Sequence, residues 1–597
     1  MLASQRPLSL LLLLALTACP GRAAHRPGEP VRPAAPVQLT LVGTNDLHGW
    51  VQSHPRALPD GTALNAGGLE VFAGYLEVLR ARNPGGVVLV DAGDLFQGTL
   101  VANLSEGAVV IDAYNALGYD AAAIGNHEFD YGPVGPRSAA IRPEDDALGA
   151  LAACAERARF PLLARNVHLA DGSRPPFLES STIVERHGVK VGILGLLTPM
   201  TPQVTNPVNV QRLRFEDMAS EARSGAAELR AQGAEVLVAL VHAGGRCSDL
   251  SDPASLASCD RRGEIFGLLE ALPAGLFDAV VAGHTHASVG HLVNGMPVIE
   301  SGSYGKQFGL IELTIDPATR RPVPGQTRIR SSIPVCARII EQTGGCNAKL
   351  WQPGMTLAPA TFEGVAITPS ATIEALLAPF LGRVTERQRQ SLKVPLPATL
   401  TREYRHESPL GNALADALRA MEGADVALLN SGGLRADLPA GELTYGALYE
   451  VFPFDNAIAT LRLTGAEIVA LFESLLSSTH GAPQSSGLRF VAERCGRRTK
   501  ITRITLADGR PLKPEAVYEL TTSDFLALGG DGVGEVLDRV PAERKDFGHE
   551  RDLGMRDALA EWLERRGGTF EAGVDGRMRV VDSSREGCEP VGDAHHQ

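Results

Sequence analysis

Seven side chains able to ligate a metal recur in short clusters through the first half of a 597-residue chain. Asp46 and His48 stand two apart in Gly43-Thr44-Asn45-Asp46-Leu47-His48-Gly49, and residues two apart on an extended segment point the same way. Asp94 closes Asp91-Ala92-Gly93-Asp94, and Asn126 opens Asn126-His127-Glu128-Phe129-Asp130. His242 follows alone, and His284 and His286 flank Thr285. Imidazole with carboxylate and amide oxygen suits divalent ions such as Mn, Zn, Fe or Co. Two such ions can clamp the attacking and leaving oxygens of an in-line displacement at phosphorus. One carboxylate must then bridge them, and Asp94 is the candidate. A water bridging both ions, its pKa lowered by two cations, is the expected nucleophile. Singly, each fragment has a bland reading: Asp-x-His as a turn, Asp94 as a helix cap. Their succession, each behind an apolar run, is what points to metal.

Those runs are Leu39–Val42, Val87–Val90, Ala121–Ile124, Val189–Leu194, Val236–Val241 and Ala279–Ala282, separated by Ala-rich helical stretches. Continuous apolar runs of this length suit strands buried on both faces. Ligand sites in α/β folds collect beyond the carboxyl ends of strands, so the pattern aims the clusters at one edge of one sheet. From about Ile315 to Thr399 the pattern weakens, and a helix is predicted from Thr372 to about Leu392, kinked by Pro379 and ended by Pro395 and Pro397. A second α/β or α+β domain follows. The expected division is a leader over 1–19, a tether over 20–36, a metal-binding domain over 37–345, a linker with its helix over 346–397, a second domain over 398–582 and a polar tail over 583–597.

The balance is acidic, 56 Lys and Arg against 69 Asp and Glu, a formal net charge of −13. That opposes a nucleic-acid polymer as partner, since phosphate contacts need a basic face. A small anionic substrate stays open, because bound cations and a few Arg residues reverse the sign inside one cleft. Arg6 and the apolar stretch Leu8–Leu16 read as an export signal too short to span a bilayer. It ends in Leu16-Thr17-Ala18-Cys19, which resembles a bacterial lipobox. Cys19 is then the lipidated residue, the sole membrane attachment, on an exported and otherwise soluble monomer at the cell envelope, periplasmic face or cell surface. Cys247 with Cys259 and Cys336 with Cys346 close short loops, Cys495 and Cys588 form a further candidate pair, and Cys154 is left as a buried thiol, in keeping with an oxidising compartment.

The clusters resemble the calcineurin-like metallophosphoesterases, and Tyr119–Asp130 (YDAAAIGNHEFD) resembles the signature of the 5′-nucleotidase family. The resemblance implies a four-layer α/β/β/α domain, then a connecting helix and an α/β (α+β) substrate-binding domain. It implies two divalent metal ions: one on Asp46, His48, Asp94 and His286, the other on Asp94, Asn126, His242 and His284. It makes His127 and Asp130 a catalytic dyad, and a His backed by a carboxylate does favour the cation that a developing negative charge needs. In the second domain, Asn430-Ser431-Gly432-Gly433-Leu434-Arg435 resembles the loop whose Arg meets the substrate phosphate. Phe454 and Phe525 resemble the pair that sandwiches a nucleobase, and Asp531 in Gly529-Gly530-Asp531-Gly532 resembles the nucleoside contact. A flat base stacks well between aromatic faces, and Arg is the natural bidentate partner of phosphate. A further substrate Arg is Arg405, with Arg402 as the other candidate. Val533 and Leu528 depart from the family's usual residues, which bears on base and ester specificity. The implied reaction is hydrolysis of nucleoside 5′-monophosphates to nucleoside and phosphate. The alternatives are a 2′,3′-cyclic-nucleotide phosphodiesterase with 3′-nucleotidase activity, a nucleotide-sugar or dinucleotide pyrophosphatase, and a sulfur-ester hydrolase. A reading of another class, a catalytically silent nucleotide-binding lipoprotein, needs a missing ligand or dyad His, and every one is present.

Overall fold

The computed structural model describes residues 36–582 apart from 59–60, 136–137, 141–143, 479, 497 and 548–552. Cys19 with its leader, the tether up to residue 35 and the tail from residue 583 lie outside the described residues.

All six apolar runs form strands, but they divide between two sheets. β1 (Val37–Thr44), β2 (Val87–Asp91), β3 (Ala121–Ala123) and β4 (Leu162–Leu163) belong to the first. β5 (Ser181–Arg186), β6 (Val189–Leu197), β7 (Val236–His242), β8 (Ala279–Ala282), β9 (Ser288–Val293) and β10 (Met296–Ser301) make the second. β11 (Gln307–Ile315) and β12 (Arg328–Pro334) return to the first. The spatial orders are β12-β11-β1-β2-β3-β4 and β9-β10-β8-β7-β6-β5. β1–β2–β3 run parallel, as do β6–β7–β8.

The single sheet expected from the sequence is therefore two sheets face to face. An apolar run says that both faces of a strand are buried, not what buries them. Alternation along each strand gives the answer. Leu39, Leu41, Val88 and Val90 meet Ile193, Val238, Leu240 and Val281 between the sheets. Val42 and Leu89 face outward into the core with α1 (Leu69–Arg82) and α2 (Ala108–Leu117). A short helix, α3 (Thr201–Val204), follows β6. On the far side, Leu237 and Val280 pack with α4 (Met218–Ala231) and α5 (Glu264–Ala271). The result is the α/β/β/α stack. Each fully buried Leu or Val contributes about 1.5–3 kcal/mol, so the inter-sheet layer is a rigid support for the loops at its end.

The connecting helix α6 (Ala371–Arg389) runs through Pro379 and stops earlier than predicted. Leu392 belongs instead to the strand Ser391–Leu396, which pairs with Gly441–Thr444. Leu392, Val394 and Leu396 are buried and alternate with exposed residues, a period of two that a helix cannot satisfy. Beyond it, α7 (Pro409–Glu422), α8 (Tyr445–Val451), α9 (Gly465–Ser477) and α10 (Met555–Arg566) surround a sheet of β13 (Val426–Asn430), β14 (Ile458–Thr464), β15 (Pro483–Ser486), β16 (Val517–Ser523) and β17 (Lys545–Asp546) in the order β15-β13-β16-β14-β17. Apolar residues of α7, α8 and α10 share one continuous core with α1, α2 and α6, so the two halves are packed together.

Cys247–Cys259 and Cys336–Cys346 are disulfides, and Cys154 is free and buried. Cys495 is disulfide-bonded, and Cys588 lies outside the described residues. Among the described residues, no helix is long and apolar enough to cross a membrane.

Candidate metal centre and substrate cleft

β1, β2, β3, β7 and β8 deliver their clusters to one region at the strands' carboxyl ends. Ligand atoms of Asp46, His48, Asp94 and His286 lie within 4.8 Å of one another, and so do those of Asp94, His242 and His284. Asp94 belongs to both groups. Its Oδ2 is 3.5 Å from His48 Nε2 and 3.2 Å from His242 Nε2. His48 and His286 bring their Nε2 atoms to 2.9 Å, and Asn126 Oδ1 is 3.2 Å from His242 Nε2. All seven predicted ligands thus converge. Five of them hold left-handed backbone: Asp46 at φ 51°, His48 at 50°, Asp94 at 57°, His284 at 83° and His286 at 54°. Such a conformation costs about 1–3 kcal/mol per non-glycine residue and persists where surrounding structure over-determines it.

The surroundings supply that determination. His48 Nδ1 donates to Gln97 O at 2.8 Å and His242 Nδ1 to Ala92 O at 2.9 Å, which directs each Nε2 into the cluster as the ligating atom. Asn126 Nδ2 donates to Val204 O at 3.0 Å, so its carbonyl oxygen faces the cluster. The backbone N–H of His284 donates to both oxygens of Asp46 at 3.0 Å. Glu128, fully buried, accepts from the backbone N–H groups of Asp94 at 2.9 Å, Leu95 at 2.7 Å and Gly125 at 2.5 Å. One carboxylate thereby fastens the β2 loop to the β3 loop.

Burial lowers His48 and His284 to about 3, and it takes His286 well below the usual imidazole range. These rings are neutral ligands at neutral pH. Burial also raises Asp46. Burial opposes charge on Asp94 too, but His242 and His127 beside it hold its carboxyl well below the ordinary carboxylate range. His242 is the counterpart: against burial, Asp94 pushes it up to about 10. Two carboxylates in a dry pocket with one compensating proton form a donor set that divalent cations fit, since each cation replaces that proton with more charge.

His127 Nδ1 and Asp130 Oδ2 are 2.5 Å apart. Burial works against a charged His127, and Asp130 followed by Asp94 outweigh it, so the imidazole is raised. Its backbone N–H donates to Asp94 Oδ1 at 3.0 Å, which ties the dyad to the metal group.

The second domain closes over this region. The Phe454 ring lies 5.8 Å from the His127 ring, and the Arg435 guanidinium sits 5.8 Å from the Phe454 ring. Arg435 also disfavours charge on His48, His127 and His286, placing its cation beside both metal group and dyad. Asn430 Nδ2 donates to Asp531 Oδ2 at 2.8 Å. Phe525 lies flat on Gly530, where a Cβ would meet its ring at 2.5 Å. Burial raises the Tyr404 hydroxyl to about 12, with Asp531 adding to the rise and Arg435, Arg405 and Arg402 opposing it, so all four charges act on one buried side chain. Arg402 Nη1 is engaged by Leu434 O at 3.1 Å.

Sequence reading passed over several residues that shape this cleft. Glu128 sits inside the Asn-His-Glu fragment, but nothing in sequence shows that its carboxylate spans two loops. Arg556, on α10, is buried and donates to Phe452 O and Phe454 O at 3.3 Å, pairs with Asp455, and lies 3.9 Å over the Tyr449 ring. It holds the Phe454 loop from a helix 102 residues away in sequence.

The profile described as calcineurin-like phosphoesterase matches residues 39–288, and that of the 5′-nucleotidase C-terminal domain matches residues 384–539. The chain is 25% identical over 512 residues to the Bacillus subtilis protein named Endonuclease YhcR, covering 84% of this chain but 38% of that protein's length. It is 25% identical over 569 residues to a 5′-nucleotidase of Vibrio cholerae, covering 89% of this chain and 91% of the relative. The crystal structure of a 5′-nucleotidase precursor from Thermus thermophilus superposes with a TM-score of 0.70 at 26% identity, covering 91% of this chain and 99% of that one. With a phosphoesterase domain carrying two metal-competent groups and a C-terminal domain of this type closing over them, the chain belongs to the 5′-nucleotidase family of metallophosphoesterases.

Proposed function

We propose that the protein hydrolyses nucleoside 5′-monophosphates to nucleoside and inorganic phosphate. The observation that carries this reading is the placement of Arg435 and Phe454, from the second domain, against His127 and the metal group of the first. Asp46, His48, Asp94 and His286 would hold one divalent ion, and Asp94, Asn126, His242 and His284 the other. Bound there, the cations supply Lewis acidity at the phosphoryl group and lower the pKa of water. The chain's own residues do the rest. Arg435 binds the phosphate as a planar donor. Arg405 and Arg402 add positive charge on the same side. His127, charged through Asp130, stabilises the phosphoryl oxygens or the leaving oxygen as negative charge develops. Phe454 and Phe525 take the base between their faces, and Asp531 with Asn430 meets the nucleoside. The sequence of the leader supports export and anchoring through Cys19 at the cell envelope.

The test is phosphate release by the metal-replete body from AMP, 3′-AMP, 2′,3′-cyclic AMP and UDP-glucose, with the products of the last two resolved by chromatography. The reading requires AMP to be the preferred substrate. A preference for the cyclic or 3′ ester keeps the metal chemistry and overturns the substrate assignment.

A further inference from the structure

Five of the six apolar runs in the first domain end in a ligand cluster, and the loop after β6 does not. It has another task. The chain leaves β6 with Thr198 N donating to His242 O at 3.1 Å, passes through α3 and reaches Thr205, which is 1% exposed. Thr205 Oγ1 donates to Asp130 Oδ1 at 2.6 Å. The other oxygen of that carboxylate is the one at His127 Nδ1, 2.5 Å away. Asp130 is thus gripped at both oxygens, once by a hydroxyl and once by the imidazole. The terminal torsion of an Asp side chain is broad and soft, so a single contact leaves the carboxylate free to turn. A second contact on the opposite oxygen removes that freedom.

The segment carrying the hydroxyl is itself fixed. Thr205 N donates to Thr201 O at 3.1 Å, and the Asn206 side chain accepts from Val208 N at 3.2 Å. Val204 O, one residue before, accepts from Asn126 Nδ2 at 3.0 Å. Side chain and backbone of two adjacent residues therefore orient the dyad acid and the amide ligand. α3 also packs against the Gly530–Gly532 turn of the second domain, which leaves the segment little room to shift.

We propose that Thr205 is a positioning residue for the His127–Asp130 pair, setting the carboxylate so that Oδ2 faces the imidazole. The proposal rests on the dyad reading given above. The test uses Thr205→Val, which keeps the shape and the Val204 carbonyl and removes only the hydroxyl. Partners that orient a functional group are worth about 10–100-fold, so kcat on AMP should fall by that factor with KM within about twofold of wild type. Metal content, measured by elemental analysis, should be unchanged. Thr205→Ser should restore kcat. Combined with His127→Ala, Thr205→Val should add no further loss, because groups that act as a unit are not additive. Wild-type kcat in Thr205→Val, failure of Ser to rescue, or an additive double variant would each overturn the role of Thr205 while leaving the dyad standing. Wild-type turnover in His127→Ala alone would overturn the dyad and the role of Thr205 with it.

Discussion

Gly125→Ala isolates the geometry on which both metal groups depend. A Cβ at this position would lie 2.2 Å from Asp94 Oδ1, 2.6 Å from Asp94 N and 2.7 Å from His242 Cε1. Gly125 has φ −102° and ψ −172°, ordinary extended backbone that Ala adopts freely, so the penalty is steric alone. Comfortable carbon contacts begin near about 3.5 Å, which means the Asp94 carboxylate must retreat by about 1 Å. Metal–ligand distances tolerate only about 0.2 Å, and Asp94 serves both groups. A misplacement of that size costs about 10²-fold even when no ligand is lost. The expectation is loss of bound metal after dialysis and a fall of at least about 10²-fold in kcat/KM, with the fold intact by circular dichroism. Gly267→Ala is the matched control. It lies within α5, a new Cβ meets nothing within 4 Å, and replacing a helical Gly should leave activity alone and stabilise by up to about 1 kcal/mol. Gly125→Ala protein that keeps wild-type metal content and turnover would refute the shared-carboxylate arrangement.

Further consequences are equally concrete. His127→Ala should lower kcat by about 10²–10⁴-fold while metal content and AMP binding, followed by calorimetry, persist; surviving activity removes the dyad assignment. Burial raises Asp531 to about 7, against the hydrogen bond from Asn430. Its carboxyl is therefore protonated below that pH and a charged group with two accepting oxygens above it, so KM for AMP should fall as pH rises through about 7 where the nucleoside donates to it, and Asp531→Asn should flatten that dependence without altering p-nitrophenyl phosphate hydrolysis. Arg556→Gln leaves Asp455 and the Phe452 and Phe454 carbonyls without their guanidinium donor; Asp455 is exposed, so the ion pair itself contributes about 1 kcal/mol or less, but the Phe454 loop loses its anchor, and KM for AMP should rise by up to about tenfold, the equivalent of about 1.4 kcal/mol of binding, with baseless esters unaffected. Equal effects on both substrate types would mean that Arg556 serves stability only.

The ligand set was legible because its chemistry needs particular residue types, and each sits directly behind an apolar strand. Asp46, His48, Asp94, Asn126, His242, His284 and His286 could be picked from sequence, and the structure brings all seven together. The stacking of two sheets was not legible from periodicity, since Val88 and Leu89 look alike in sequence yet face the inter-sheet layer and the helical layer respectively. The end of α6 was misjudged because Ser391–Leu396 is short and the Pro395 inside it argues against a strand. The left-handed backbone at five ligands is not legible in sequence, because Asp and His, though enriched there among non-glycine residues, mostly adopt other conformations, and only Gly marks such positions routinely. Thr205 and Arg556 escaped for a related reason: a hydroxyl or a guanidinium becomes informative only once its distant partner is known.

Asp94 belongs to both candidate metal groups, and a shared Asp94 would let one constellation hold two divalent ions. Metal-stripped protein titrated with Mn²⁺ should bind two equivalents per chain and recover AMP hydrolysis in step with them, and Asp94→Asn should lose both equivalents and the activity together. Binding of a single equivalent by the wild-type chain, or an Asp94→Asn protein that still binds two, would contradict it.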